Sequence, residues 1–227
     1  MKSTIVLLGL SVASVVAHPS NDQQPLSRPG DKFDLISQLK QAEIIPTVLD
    51  QFQPFLTVSV SWKKAKASIG NTIKPKRVQK TPHVSLVDEL PDLSFAEAFR
   101  GLPQLTLALT DPDARSRDNP DWSEMCHWIA TDIPLTSADQ GLVASRPLKE
   151  IMPYKPPGPP SKTGKHRYVF AALSPRNGTH EPLNLTTPAD RQHWGFGQPR
   201  KGLREWAEGN GLVVVGANFI YAQNKKQ

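Results

Sequence analysis

Apolar positions come in short bursts along this chain, and their period changes from one burst to the next. Leu35, Ile36, Leu39, Ala42 and Ile45 recur at helical spacing and predict an amphipathic helix over residues 34–45. Asp31 or Asp34 would cap it, and Pro46 would stop it. From residue 55 the period becomes two. Leu56, Val58, Val60 and Trp62 alternate with Thr57, Ser59 and Ser61, the pattern of a half-buried strand. Gly70-Asn71 marks a turn, and the pattern predicts a shorter strand over residues 83–88 and a short helix over 91–101 capped by Ser94.

The period of two then returns three times. Leu105, Leu107 and Leu109 alternate with Thr106, Ala108 and Thr110. On the next strand His127, Ile129, Thr131 and Ile133 share one face, while Cys126, Trp128, Ala130 and Asp132 share the other. A third strand, over 166–173, puts His166, Tyr168 and Phe170 on one face and Arg167 and Val169 on the other. Residues 134–165 connect the last two. The proline-rich run 153–164 inside that connection reads as an ordered loop shaping the edge of a site. A helix over 202–208 turns Leu203, Trp206 and Ala207 inward and ends at Gly209-Asn210-Gly211, before a buried strand over 212–222.

Composition agrees with a β-rich chain. Twenty-two prolines in 227 residues argue against a helical bundle. The length suits one domain, over residues 32–227. Ahead of it, Lys2, the apolar run 5–16 and Val15-Val16-Ala17 read as a cleavable leader over 1–17, which predicts a secreted or secretory-pathway protein. Residues 18–31 read as a flexible arm. No stretch is long and apolar enough to span a bilayer. Cys126 is the only cysteine, so no intrachain disulfide can form, and its strand context predicts a buried thiol. Asn177-Gly-Thr179 and Asn184-Leu-Thr186 are acceptor sequons that point to a glycoprotein.

The net charge is +6. Its basic residues gather over 63–66, 74–80 and 225–226, without the module or aromatic interleaving that nucleic-acid binding needs. The expected partners therefore exclude nucleic acid, and these clusters read as a solvated face with mild attraction for anions.

The chemistry gathers over residues 105–133. Asp111 and Asp113 end one strand, and His127 lies on the next. If those strands are neighbours and the strand of His166 joins them, two carboxylates and two imidazoles converge at a sheet end. Their spacing matches no known metal signature. Ser116, Ser123 and Cys126 are candidate nucleophiles, but no G-x-S-x-G elbow or triad order accompanies them. Acid–base chemistry by an Asp–His pair stays open. Anion capture fits more naturally, since imidazoles donate hydrogen bonds to phosphate or carboxylate oxygens and a turn can present backbone N–H groups. The alternative is that Asp111 caps a turn and both histidines are buried and satisfied. No catalytic residue, metal or cofactor is assigned.

Two segments carry a resemblance. Asp111-Pro-Asp-Ala-Arg-Ser-Arg117 followed by His127-Trp128, and Pro159-Pro160 followed by Gly164-Lys-His-Arg-Tyr-Val-Phe170, resemble the two signatures of the phosphatidylethanolamine-binding protein family, in order. The resemblance runs from about residue 44 to 222 and is strongest to fungal members. It implies a sandwich of two antiparallel sheets with peripheral helices and a small anion pocket at one end. By motif position Asp111, Asp113, His127, Pro159, His166 and Tyr168 would line that pocket. Arg115 stands where the family has proline. It would add a charge, free the loop backbone and influence specificity. Met125-Cys126 stand where many relatives have tryptophan and a second histidine, which implies a less aromatic rim. The expected role is binding a phosphate or carboxylate, such as a phospholipid headgroup, more than stand-alone catalysis. Relatives also suggest two alternatives. One is an accessory protein of a fungal natural-product pathway that holds or couples maleic anhydride metabolites beside a pathway enzyme. The other is an inhibitor of a serine carboxypeptidase.

Overall fold

Each strand predicted from a period of two is present, and the register between strands decides what meets what. The computed structural model describes residues 32–88, 105–133, 135–137, 148–179, 181 and 183–226. The leader over 1–17, the arm over 18–31, the helix over 91–101 and part of the connection over 134–165 lie outside the described residues. The first element is α1 (Lys32–Gln41). Then come β1 (Leu56–Trp62), β2 (Ala65–Lys66), β3 (Asn71–Thr72), β4 (His83–Asp88), β5 (Thr106–Asp111) and β6 (Met125–Thr131). The chain continues through β7 (Leu135–Ser137), β8 (Lys149–Met152), β9 (Lys165–Pro175), α2 (Leu203–Gly209) and β10 (Leu212–Gln223).

Two sheets result, one four-stranded in the order β2-β1-β4-β7 and one six-stranded in the order β3-β10-β9-β5-β6-β8. Pairing is antiparallel except at β4–β7 and β3–β10. The short edge strands β2, β3 and β7 and the half-exposed β8 bear no apolar alternation, so their sequence carries no strand signal. Leu56, Val58, Leu107, Leu109, Trp128 and Phe170 fill the space between the sheets. A second apolar layer covers the other face of the large sheet. There Ala108, Val169, Ala171 and Leu173 meet Leu39 of α1, Ile44, Leu49, Trp194 and Leu203 of α2. Burial on both faces explains why β5, β6 and β9 are enclosed almost throughout.

Two details depart from the sequence pattern. The first helix stops at Gln41, although its apolar period runs on to Ile45. The Glu43 N–H donates to Lys40 O (2.9 Å) and the Ile44 N–H to Leu39 O (2.8 Å), with Glu43 at φ 53°. That is a Schellman ending, and Ile44 packs back beside Leu39 in the same core. The apolar pattern continues because the turn, like the helix, is buried. The other departure is a β-bulge. Leu109 pairs with Trp128 but Thr110 pairs with Cys126, so His127 is an extra residue in β6. Alternation breaks there. Cys126 joins the layer of Ile129, contrary to the face expected from a regular strand, while Trp128 stays with Ala130, as expected.

Candidate functional site: a histidine pocket at the sheet end

β5 ends, β6 begins and β9 begins at one end of the large sheet, because β5 runs antiparallel to both neighbours. Asp111, His127 and His166 meet there. The bulge re-aims His127 so that its ring stands edge-on to Tyr168, with centroids 5.1 Å apart. His166 lies nearly parallel to the same tyrosine at 6.4 Å. All three aromatic rings are buried, with His127 the most accessible at 4 %.

Asp111 is the hub. Its Oδ1 accepts the Asp113 N–H (2.8 Å), closing an Asx turn that holds the loop after β5. Its Oδ2 is 2.9 Å from His166 Nδ1. The Tyr168 phenol lies close enough to feel the same carboxylate and the Gly158 backbone. Burial, and then the Asp111 charge, raise the Tyr168 phenol well above its ordinary value, so it remains a donor. Thr163 Oγ1 donates to Pro160 O (2.9 Å), so its contact with His166 Nε2 (3.0 Å) is one in which the oxygen accepts. Both His166 nitrogens therefore have partners.

His127 is different. Its Nδ1 lies 2.7 Å from Lys155 O, a group that can only accept, so the Nδ1 carries the proton. Desolvation lowers its pKa, against the pull of Asp111. The neutral ring presents Nε2 as a lone pair, and among the described residues no side chain meets that nitrogen. The Arg191 guanidinium fixes this corner from behind. It donates to Cys126 O (3.1 Å), His127 O (3.2 Å) and Pro153 O (2.7 Å). Tyr154 adds a brace through its hydroxyl to Val78 O (2.8 Å) and its ring against Trp128.

The structure thus brings Asp111, His127, His166 and Tyr168 together. Pro159 is buried in the proline-rich loop, where its carbonyl accepts from Asn224 Nδ2 (3.1 Å). Asp113, expected beside Asp111 in the pocket, has both oxygens committed elsewhere. They take the Arg167 backbone N–H (2.8 Å), Nε (2.9 Å) and Nη2 (2.6 Å). Arg167 lies on the opposite face of β9 from His166, and this pairing draws Asp113 to that side. The remaining Arg167 nitrogen, Nη1, reaches two carbonyls of the turn that follows α1, Ala42 O (2.8 Å) and Glu43 O (2.9 Å). Arg115 follows a cis peptide, is exposed, pairs with Asp121 (2.8 Å) and stacks over Trp122 at 5.1 Å. Its loop backbone is not free, because Trp122 N–H donates to Ala114 O (3.0 Å). The sequon residues Asn177 and Asn184 are both exposed.

Arg167, Arg191, Thr163 and Tyr154 are structural members that the sequence reading left out. Arg167 had a signal in its place inside the second signature, Tyr154 and Thr163 in the loop over 153–164 read as shaping the edge of a site, and Arg191 had none. The candidate nucleophiles do not join the histidines. Cys126 packs on the far side of the sheet, its thiol pushed up to about 12 by burial. Ser123 is buried, its backbone carbonyl held by Arg200, and Ser116 Oγ accepts from Asn119. Among the described residues no three His, Cys, Asp or Glu side chains are arranged to hold a metal ion. Paired imidazoles, a fixed carboxylate and a phenol can orient a small polar group and exchange a proton with it.

Comparison with known proteins matches the phosphatidylethanolamine-binding protein family model over residues 63–220. The carboxypeptidase Y inhibitor of Saccharomyces cerevisiae is 31% identical over 209 residues, covering 84% of this chain and 95% of the inhibitor. The protein BROTHER of FT and TFL 1 of Arabidopsis thaliana is 33% identical over 175 residues, covering 72% of this chain and 86% of its own. Among solved structures, carboxypeptidase Y inhibitor complexed with its cognate proteinase superimposes with a TM-score of 0.70 at 27% identity, covering 86% of this chain and 97% of that one. A phosphatidylethanolamine-binding protein from Plasmodium vivax shares the fold, with a TM-score of 0.61 at 20% identity over 84% of this chain and 97% of that one.

Proposed function

The chain belongs to the phosphatidylethanolamine-binding protein family, and from that premise we propose that it is a binding protein whose histidine pocket holds a small anionic group, a phosphate or a carboxylate. One observation carries this reading: two buried imidazoles from different strands converge on one carboxylate and one phenol. A headgroup oxygen would meet His127 Nε2. His166, Asp111 and Tyr168 would keep the floor polar and rigid, because each already has a partner. Asp113 holds the loop through Arg167. The test is calorimetric titration with phosphoethanolamine, inorganic phosphate and acetate, on wild type and on His127→Ala and His166→Ala. His127→Ala is expected to lose about tenfold or more in affinity, the worth of one charge-assisted hydrogen bond, and His166→Ala to lose affinity by releasing the Asp111 carboxylate that it holds. Equal binding by all three proteins refutes the pocket assignment.

A second reading is inhibition of a serine carboxypeptidase. It is favoured by the 31% identity to the carboxypeptidase Y inhibitor across most of both chains, and by the likeness to that inhibitor in its proteinase complex. A peptidase whose hydrolysis rate is unchanged at micromolar concentrations of this protein would exclude it. The leader over 1–17 and the sequons at Asn177 and Asn184 make a secretory route part of the proposal. N-terminal sequencing and endoglycosidase shifts of the expressed protein test that route.

A further inference from the structure

Charge on this chain is strongly polarised. Residues 51–87 contain seven lysines and arginines and not one aspartate or glutamate, so a chain of net charge +6 carries +7 there and −1 in all its other residues together. The fold gathers this charge on one edge. Lys63, Lys64 and Lys66 lie in the β1–β2 hairpin, whose second strand is the edge of the small sheet. Lys74, Lys76 and Arg77 belong to a 3-10 turn that packs on the hairpin, with Arg77 NH1 donating to Lys64 O (3.3 Å). Lys80 is drawn in by Trp62, whose indole N–H donates to its carbonyl (2.9 Å). All seven are exposed, and none has a carboxylate partner among the described residues.

Two features indicate what such a surface meets. Six of the seven cations are lysines, which act as point charges and lack the bidentate fork that reads a single phosphate. The only aromatic ring of the hairpin, Trp62, is half-buried with its N–H engaged, so there is no stacking platform for bases. This chemistry suits a surface of many diffuse anions. Hydrogen bonds also link the patch to the histidine site. Val78, between Arg77 and Lys80, takes the Tyr154 hydroxyl on its carbonyl, and the next residue, Lys155, exchanges hydrogen bonds with His127 through its backbone. The patch is therefore only a few residues, through Val78, Tyr154 and Lys155, from His127.

We infer that the lysine-rich edge over residues 63–80 docks the protein electrostatically on an acidic lipid bilayer, with the histidine pocket beside it. The choice of bilayer rests on the proposed headgroup reading of that pocket. The docking itself rests on the charge alone.

Flotation of the full chain with vesicles is the test, comparing phosphatidylcholine alone with phosphatidylcholine containing about 30 % phosphatidylserine. The protein should bind the acidic vesicles, ignore the neutral ones, and release as salt shortens the screening length. Lys63→Glu/Lys64→Glu/Lys74→Glu/Lys76→Glu changes four exposed side chains. It should melt like wild type and bind acidic vesicles about a hundredfold more weakly or worse. The corresponding four Lys→Gln changes should fall between the two. His127→Ala/His166→Ala should still bind acidic vesicles. Unchanged binding by the Glu variant, equal binding to neutral vesicles, or retention on heparin without any on acidic vesicles would overturn the inference. If the soluble-anion titration fails while vesicle binding persists, the pocket reading falls and the docking edge stands.

Discussion

Replacing Asp113 by alanine isolates a buried, three-fold hydrogen-bonded ion pair. Arg167 is 4 % exposed and Asp113 1 %. The carboxylate accepts three N–H groups of Arg167 at 2.6 to 2.9 Å, and Nη1 caps two carbonyls of the turn that follows α1. Asp113→Ala leaves a guanidinium buried without its counter-charge, two of its N–H groups unpaired, and a backbone N–H of β9 without an acceptor. Removing one partner of a buried pair costs about 3–5 kcal/mol. For a domain of this size each kcal/mol moves the midpoint by about 2–4 °C, so a fall of roughly 6–20 °C is expected. Replacing both partners should hurt less than the sum, since Asp113→Ala/Arg167→Met leaves no orphaned charge. Urea denaturation of the two single variants and the double variant measures the coupling. A loss below about 1 kcal/mol for Asp113→Ala, or strict additivity, would refute the claim that this pair locks the loop after β5 to the turn after α1.

The pocket should be proton-linked. His127 is held neutral by burial and needs a proton on Nε2 to donate to an anion, so binding takes up a proton. Affinity for sulfate, which does not titrate near neutrality, should rise by up to about tenfold per unit as pH falls through that range. Calorimetry showing no such dependence would refute it. Glu124 is buried against Thr110 Oγ1 (3.0 Å) and the Leu203 N–H (3.3 Å), and burial raises its pKa from 4.5 to about 8. A raised carboxyl stabilises the fold below the unfolded value and loses that contribution as pH rises to about 8, at most about 5 kcal/mol. Glu124→Gln should flatten the fall in denaturation midpoint between pH 5 and 8, and an equal fall in both proteins would refute this. Gly216 lies where β10 passes under β1, and a Cβ there would sit 2.4 Å from Leu56 O. Gly216→Ala should cost about 1–3 kcal/mol of stability in thermal melts, because backbone cannot yield as a side chain can.

Local pattern carried the fold a long way. A period of two in residues 55–62, 105–110 and 166–173, and an apolar run over 212–222, marked the long strands. The period also placed Tyr168 and Phe170 opposite Arg167 and Val169, as observed. The paired signatures marked Asp111, His127, His166 and Tyr168 as neighbours before any strand order was known. The edge strands escaped notice because an edge needs few apolar contacts and so imposes little pattern.

By itself, then, the sequence determined which long segments are strands, most of their apolar faces, and which residue types meet at the sheet end. Tertiary structure alone decided the hydrogen-bond partners. Asp111 and Asp113 stand two residues apart, yet one belongs to the histidine pocket and the other to Arg167, a partner 54 residues away on the opposite face of β9. His127 gained its aim from a bulge, visible only as a one-residue shift against β5. The physical reason is range. Burial repeats with the local geometry of a strand and leaves its mark on neighbouring residues. Register and pairing are settled between segments far apart in the chain, by which buried polar groups can all be satisfied at once.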